Sequence, residues 1–258
     1  MFQRHFQILT INLTLEISKK SFVKKVDCCT VLFFLILTSV FSTPATAQSY
    51  AHASVWSRLY LSKQVGKFLY SGDIAYRRQN DYHISKYGIL DKPLLDAQRL
   101  SVAYRPKNWQ FSLAVSRWHS YQILGKEADF LKSPTVELRF APGVEYFHKI
   151  NKGLFQWRTQ YEYRTFIDRR VGRLRQRFQY RQPISIKNDL VFTQEFLFGV
   201  PPNSSKKFEQ NQTGVTFNHS FTEHLEGEIG YRYVYRKRRG TSEIDNENAL
   251  VIGLMLRL

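Results

Sequence analysis

The strongest pattern along the chain is an alternation of apolar and polar positions, and it is clearest between Leu154 and Arg181. From Phe155 to Thr165, aromatic residues and threonines occupy every second position, and Gln, Arg or Glu fill the positions between. From Arg173 onwards, basic residues take alternate positions instead. Only a β-strand sends alternate residues to opposite faces, so this stretch predicts a hairpin whose strands each have one apolar and one charged face.

The same alternation recurs along most of the chain. We count eleven such runs, near residues 55–61, 68–77, 99–105, 109–116, 136–146, 155–165, 173–181, 190–198, 212–221, 225–236 and 250–258. Short connections alternate with longer polar ones, which lie near 80–96, 120–134, 167–172, 201–210 and 237–246. Outer-membrane barrels have this order of short periplasmic turns and longer external loops. The sequence therefore predicts an all-β fold, an antiparallel transmembrane β-barrel of about 10–12 strands.

The strand number has two solutions, because bacterial single-chain barrels have even numbers of strands and both termini in the periplasm. Either residues 55–61 lie outside the barrel, which leaves ten strands, or a twelfth strand lies near 120–134. The alternative fold is a secreted β-sandwich. It would match the alternation only if the charged faces of all its strands were exposed to water on the outside of the two sheets.

The first 47 residues are predicted to be a cleaved signal peptide. Lysines precede an uncharged apolar stretch at 28–41, and Ala45-Thr46-Ala47 is a small-x-small cleavage site. Fourteen apolar residues are too few for a helix that spans a bilayer, although an N-terminal anchor is the alternative. We expect export to a bacterial outer membrane, with residues 48–258 as one barrel domain.

Both cysteines, Cys28 and Cys29, lie in this leader, so the remaining chain can form neither disulfides nor thiolate metal sites. The leader holds five basic and two acidic residues, so the full net charge of +17 falls to +14 without it. This excess favours anionic partners, either the phosphates of outer-membrane lipid and lipopolysaccharide or a small anionic solute. Export argues against nucleic acid, and the sequence does not indicate the oligomeric state.

Basic residues in two of the longer connections are expected at exposed external tips. They are Lys206, Lys207 and the run Arg236-Lys237-Arg238-Arg239. At such tips they would either be solvated or pair with phosphates of lipopolysaccharide.

Four stretches carry a resemblance to a known family: VWSRLYLSKQVGKFLYSGDIAYRRQ, the central YEYRTF with GRLRQRFQY, QEFLF, and the closing EGEIGYRYVYR. They resemble a Gram-negative family called domain of unknown function 2490, and the resemblance covers nearly all of 54–258. It implies an outer-membrane β-barrel, and it supplies no activity and no site residue.

The charged inward face is the main chemical feature. The basic residues predicted to face the lumen are Arg99, Arg139, Arg158, Arg164, Arg173, Arg175, Arg177, Arg181 and Arg232. Their predicted acidic partners are Glu137, Glu162, Glu195, Glu226 and Glu228. One interpretation is an ion-paired network that fills a narrow lumen, which makes a closed structural or partner-binding barrel.

The other interpretation is a positive strip for an acidic solute. On one central strand Arg158, Glu162 and Arg164 face Arg173, Arg175 and Arg177 on the other, which makes five basic groups to one carboxylate. An arginine fork pairs bidentately with carboxylate or phosphate. The hypothesis is that the inward face is net positive and that a narrow channel, if one is present, prefers anions or small acidic solutes.

No enzyme signature is present. None of the six histidines after the leader has metal-ligand spacing, and GxSxG is missing. His119-Ser120 and His219-Ser220 are adjacent pairs, and neighbours on a strand point to opposite faces. We expect no catalytic residue, no metal and no cofactor; the rival hypothesis is a lipid-modifying barrel enzyme with a Ser or His near one membrane edge.

Overall fold

The computed structural model describes residues 49–85, 87–200, 208–238 and 241–258, so the predicted signal peptide and the lysines of 201–207 lie outside the described residues. The described residues form β1 (Ser49–Val65), β2 (Phe68–Gln79), β3 (Lys92–Tyr104), β4 (Trp109–Ser120), α1 (Glu127–Phe130), β5 (Thr135–Ile150), β6 (Gly153–Thr165), β7 (Arg170–Pro183), β8 (Asn188–Val200), β9 (Phe208–Ser220), β10 (Leu225–Lys237) and β11 (Ile244–Arg257). No helix in these ranges is both long and apolar enough to cross a membrane.

The strands form one closed barrel, in which each pairs with its sequence neighbours and β1 pairs with β11. The prediction of an all-β barrel of about 10–12 strands is therefore confirmed, and the sandwich alternative is wrong. Neighbouring strands are antiparallel, whereas β1 and β11 are parallel. An odd number of alternating strands leaves the first and last running in the same direction, so eleven strands can close only through a parallel pair.

Both explanations of the strand number are wrong. Residues 55–61 lie within β1 and pair with β2 and β11, so they belong to the barrel. The segment 120–134 contains α1 rather than a twelfth strand. Because the closing pair is parallel, Ser49 and Arg257 lie at opposite ends of the barrel, unlike the expected arrangement with both termini at one end.

The two ends of the barrel differ in the length of their connections. One end, called the turn end, has the connections 66–67, 105–108, 151–152, 184–187 and 221–224. The other, the loop end, has 80–91, 121–134, 166–169, 201–207 and 238–243. The predicted alternation is present except at 166–169, which is as short as the turns because β7 begins at Arg170.

Two of the tight turns have the residues that their backbone needs. The two-residue connections begin with Gly66 (φ 59°) and Asn151 (φ 53°). Positive φ values match the twist of a two-residue hairpin, and Gly and Asn adopt them most readily. These turns set the register of β1 with β2 and of β5 with β6.

Pro142 lies inside β5, where a proline cannot donate to a strand ladder. It pairs in register with Leu113 of β4. On the other side, the ladder to β6 omits Ala141 and Pro142 without a register shift. The proline is thus accommodated by a gap in one ladder, without a bulge.

Large apolar side chains cover the outside of the barrel, while charged ones point inwards. Leu100, Ile74 and Leu138 are each more than half exposed, whereas Glu137 and Glu195 are each 2% exposed. Aromatic side chains pack in tilted pairs on the outer face near the turn end, with Phe68 against Tyr104 and Trp109 against Tyr146. This distribution is the reverse of that in a water-soluble protein, which buries apolar side chains and exposes charged ones.

Candidate functional site

Charged side chains of β5, β6, β7 and β8 meet inside the barrel. The group, called here the Arg–Glu cluster, consists of Glu137, Arg139, Arg158, Glu162, Arg164, Arg173, Arg175 and Glu195. Strand register brings them together, since Arg139 lies opposite Arg164 and Glu162 lies opposite Arg173. Alternation then sends all of these side chains to the same, inward face.

Glu162 and Glu195 are shared acceptors at the centre of the Arg–Glu cluster. Arg175 donates from Nη1 to Glu162 Oε1 at 2.7 Å and from Nη2 to Glu195 Oε1 at 2.7 Å. Arg173 donates from Nε to Glu162 Oε2 at 2.8 Å. Buried carboxylates are tolerated when they are paired in this way. The five-to-one excess expected on the two central strands is thus reduced by glutamates from β5 and β8.

Glu137 holds the loop-end part of the cluster. Arg164 donates from Nε to Glu137 Oε2 at 2.7 Å, and Arg139 also donates to this carboxylate. The guanidinium carbon of Arg139 lies 3.7 Å from the ring centroid of Trp118, which also points inwards. Arg139 is therefore held between Trp118 of β4 and Glu137 of its own strand.

A cavity of about 480 Å³ lies between the cluster and the loop end. Among the described residues, twelve basic and six acidic side chains line it, so its wall carries a cationic excess. Arg139, Arg173, Arg175 and Glu195 form its floor. Glu195 is only 2% exposed although it points into the lumen, so neighbouring side chains cover its carboxylate.

The segment 121–134, called here the cap, borders the cavity at the loop end. It starts after β4 and contacts the connection between β10 and β11. In the order of strands around the barrel, β1, β2 and β3 lie between these two places. Lys126 Nζ donates to Glu243 Oε2 at 2.7 Å, and Arg238 Nη1 donates to Asp129 Oδ2 at 2.7 Å. These ion pairs join two connections that are more than a hundred residues apart.

Asp129 is the buried anchor of the cap. Its burial raises the pKa of the carboxyl, but hydrogen bonds from Lys132, Arg238 and the Gly125 N–H outweigh burial and lower the pKa to about 2. The carboxylate is therefore charged over the whole physiological pH range, and the cap stays joined to Arg238.

The nine basic residues predicted for the lumen all lie on inward-facing strand positions. Five belong to the Arg–Glu cluster. Arg99 donates to Asp73 at 2.8 Å, and Arg181 donates to Asp189 at 2.8 Å, both outside the cluster. The remaining two, Arg177 and Arg232, have no carboxylate oxygen within 4 Å in the described part of the chain.

The five predicted acidic partners divide in a similar way. Glu137, Glu162 and Glu195 belong to the cluster. Glu226 lies near the turn end, where it accepts hydrogen bonds from Asn218 at 2.7 Å and from Arg181 at 3.3 Å. Glu228 faces inwards without an ion pair among the described side chains.

Sequence reasoning missed several inward charges: Arg58, Asp73, Arg77, Glu145, Asp245 and Glu247. The first four lie on polar faces of predicted strands, so the alternation contained their signal. Asp245 and Glu247 were assigned to a loop because β11 was predicted to begin at Leu250.

The placement of Arg236 and Arg238 at an exposed loop tip is wrong. Arg236 Nη2 donates to Glu247 Oε2 at 3.0 Å, and Arg238 donates to Asp129 and Asp245. Both line the cavity because β10 extends to Lys237 and its alternation continues inwards. Lys206, Lys207 and Arg239 lie outside the described residues.

The two His-Ser pairs are divided between the faces of the sheet. His119 lies on the outer face, 4.0 Å from Asp96, whereas Ser120 lines the cavity. His219 accepts or donates a hydrogen bond with Asn188 at 2.7 Å. Within the described ranges, no group of three or more His, Cys, Asp or Glu residues could hold a metal ion.

Fold and site together define a class of protein: a closed, eleven-stranded β-barrel with an apolar outer face and an arginine-rich interior. The chain matches the family described as "Protein of unknown function (DUF2490)" over residues 53–245, and it belongs to that family. A search of curated proteins finds no match.

Proposed function

We propose that this chain is an outer-membrane β-barrel that admits small acidic solutes into its cationic cavity and passes them through a narrow, gated lumen. The observation that supports this most is the wall of the cavity, where twelve basic side chains accompany six acidic ones. In a partly desolvated lumen screening is weak, so a few fixed positive charges favour anions over cations.

The proposed membrane location is supported by the distribution of side chains and by the predicted leader. A closed barrel satisfies all its backbone hydrogen bonds between strands, which a lipid environment requires. Its outer face offers exposed Leu, Ile and Phe side chains to acyl chains, with aromatic pairs near the turn end. Lipid and lipopolysaccharide are the partners proposed for this face.

The proposed gate is the floor of the cavity. Arg175 bridges Glu162 and Glu195 there, and these carboxylates are buried, so a solute can pass only when the ion pairs separate.

The same burial of the two carboxylates favours a second candidate function, a closed structural or partner-binding barrel. We propose no catalytic role, since His119 and Ser120 point to opposite faces.

Solute uptake into proteoliposomes separates the two candidates. Purified protein is reconstituted, and the entry of labelled succinate, a dianion, is compared with the entry of labelled putrescine, a dication. The gated channel predicts succinate entry above that of empty vesicles, with little putrescine entry. No entry of either solute would favour the closed barrel, and faster putrescine entry would refute the charge argument.

A further inference from the structure

Two of the arginines that line the cavity lack a carboxylate partner. Arg77 on β2 and Arg232 on β10 have no carboxylate oxygen within 4 Å in the described part of the chain; Arg232 donates to the neutral Gln212 at 3.2 Å. The residues paired with Arg232 on β9 and β11 are Gly214 and Ala249, so neither cross-strand neighbour offers it a carboxylate. A partly buried guanidinium without a counter-charge is unfavourable, and an anion would relieve that cost.

Trp56 holds both guanidinium groups in one place. The guanidinium carbon lies 3.5 Å from the Trp56 ring centroid for Arg77 and 5.2 Å for Arg232. The indole is itself fixed, since its Nε1–H donates to Glu247 at 2.6 Å and it packs against Val234, Ala249 and Val251 inside the barrel. A rigid platform reduces the entropy that two long side chains lose when a ligand binds.

The carboxylates that act most strongly on this pair are already engaged. Glu247, the acidic residue that acts most on Arg77, accepts hydrogen bonds from Ser54, Trp56 and Arg236. Glu195, which acts most on Arg232, is bound by Arg175. Neither is therefore free to neutralise the two unpaired guanidinium groups, and Glu228 lies beyond ion-pair distance.

We propose that Arg77 and Arg232, held at Trp56, form a binding site for the doubly charged oxyanion of a small solute, either a phosphate monoester or a dicarboxylate. Two unpaired cations match two negative charges, and guanidinium forks bind such oxygens bidentately. A cavity of about 480 Å³ has the size of ordinary small-ligand sites. The inference rests on the proposed function in that an acidic solute must enter the cavity.

Isothermal titration calorimetry on the purified full chain in detergent tests this site without requiring transport. The probes are inorganic phosphate at pH 8, succinate, and chloride, all at constant ionic strength. We expect saturable binding of one phosphate or one succinate per barrel, and none of chloride. Whichever dianion binds more tightly identifies the phosphate or the carboxylate class; the absence of saturable binding by both would overturn the proposal.

Three arginine variants decide whether a local site or the general charge of the lumen binds the anion. Arg77→Gln and Arg232→Gln should each weaken binding by about tenfold or more, the loss expected for one charge-assisted interaction. The matched control, Arg177→Gln, removes another inward arginine without a close carboxylate, but one that does not line the cavity. It should change affinity less than about threefold, since Arg177 does not line the cavity and Coulomb attraction weakens with distance.

Arg77→Lys and Arg232→Lys provide a second test if the Gln variants do not fold, as judged by heat-modifiable migration on a gel. They retain the charge and lose the fork, so binding should still weaken measurably. Equal weakening by Arg177→Gln and Arg232→Gln would overturn the local site. If the dianions bind but succinate does not enter vesicles, the binding site stands and the channel is refuted. If succinate enters vesicles but the Arg77 and Arg232 variants bind as tightly as the wild type, only the binding site is refuted.

Discussion

Replacing Glu162 by Gln tests whether the Arg–Glu cluster stabilises the barrel. The change keeps the shape of the side chain but removes the charge that Arg173, Arg175 and Arg139 share. Removing one partner from a buried ion pair costs about 3–5 kcal/mol. Each of the three arginines retains a second carboxylate, from Glu209, Glu195 or Glu137, so we expect a loss near 3 kcal/mol, at the lower end of that range.

The free energy of unfolding is measured by urea titration of the protein in lipid vesicles, followed by tryptophan fluorescence and far-UV circular dichroism. Glu228→Gln is the matched control, because Glu228 also faces inwards but makes no ion pair in the described part of the barrel. It should cost less than about 1 kcal/mol, as expected for a site outside a buried network. If Glu162→Gln destabilises the barrel no more than this control does, the cluster does not act as a paired network.

Three other changes test the outer face, the cap and the proposed lack of catalysis. Leu100→Arg, at a fully outward position, should cost about 2–4 kcal/mol of stability in vesicles, whereas Leu131→Arg in the cap should have little effect; similar effects would contradict the membrane-facing assignment of Leu100. Because the folded pKa of Asp129 lies at about 2, below its ordinary value of 3.8, its stabilising contacts should be complete above about pH 4 and lost as pH falls towards 2. In the wild type, the amide hydrogens of the cap should exchange faster as pH falls towards 2. In Asp129→Asn they should already exchange faster at neutral pH, and residue 129 should add no further dependence on acid. His119→Ala and Ser120→Ala should leave lipid hydrolase and acyltransfer assays of the purified protein at background; an activity abolished by either change would support an enzyme.

The direction of each strand's side chains could be predicted because the alternation is a local property of the sequence. The closure could not be predicted in the same way. Whether the first strand joins the last in parallel depends on the total number of strands, and no short segment encodes that number. The expectation of an even number therefore led to two wrong solutions, although the eleven runs themselves were present in the sequence.

The start of β11 shows a second limit. Residues 245–248 read Asp-Asn-Glu-Asn, which is polar on both faces and so resembles a loop. In the structure the outward Asn246 and Asn248 accept hydrogen bonds from the hydroxyls of Tyr233 and Tyr231 on β10. Cross-strand partners make this polar segment a strand, and they cannot be identified before the register is known.

Which arginines find a carboxylate depends on side-chain reach across the lumen as well as on register. Arg177 lies directly opposite Glu195 in the ladder, yet Arg175, two residues away, donates to that carboxylate. Composition alone indicated a cationic interior. It could not indicate that Arg77, absent from the predicted set, would lie at Trp56 without a carboxylate partner.

The preference of the lumen for anions is tested most directly by the reversal potential across a planar bilayer with a potassium chloride gradient. The wild type is compared with the double variant Arg175→Ala/Glu195→Ala, which removes one base and one acid from the floor and leaves the net charge of the lumen unchanged. We expect infrequent openings of the wild type and larger or more frequent conductance in the double variant. For both proteins the reversal potential should be shifted towards the equilibrium potential of chloride. A reversal potential shifted towards the equilibrium potential of potassium, or no conductance in either protein, would contradict a gated, anion-preferring barrel.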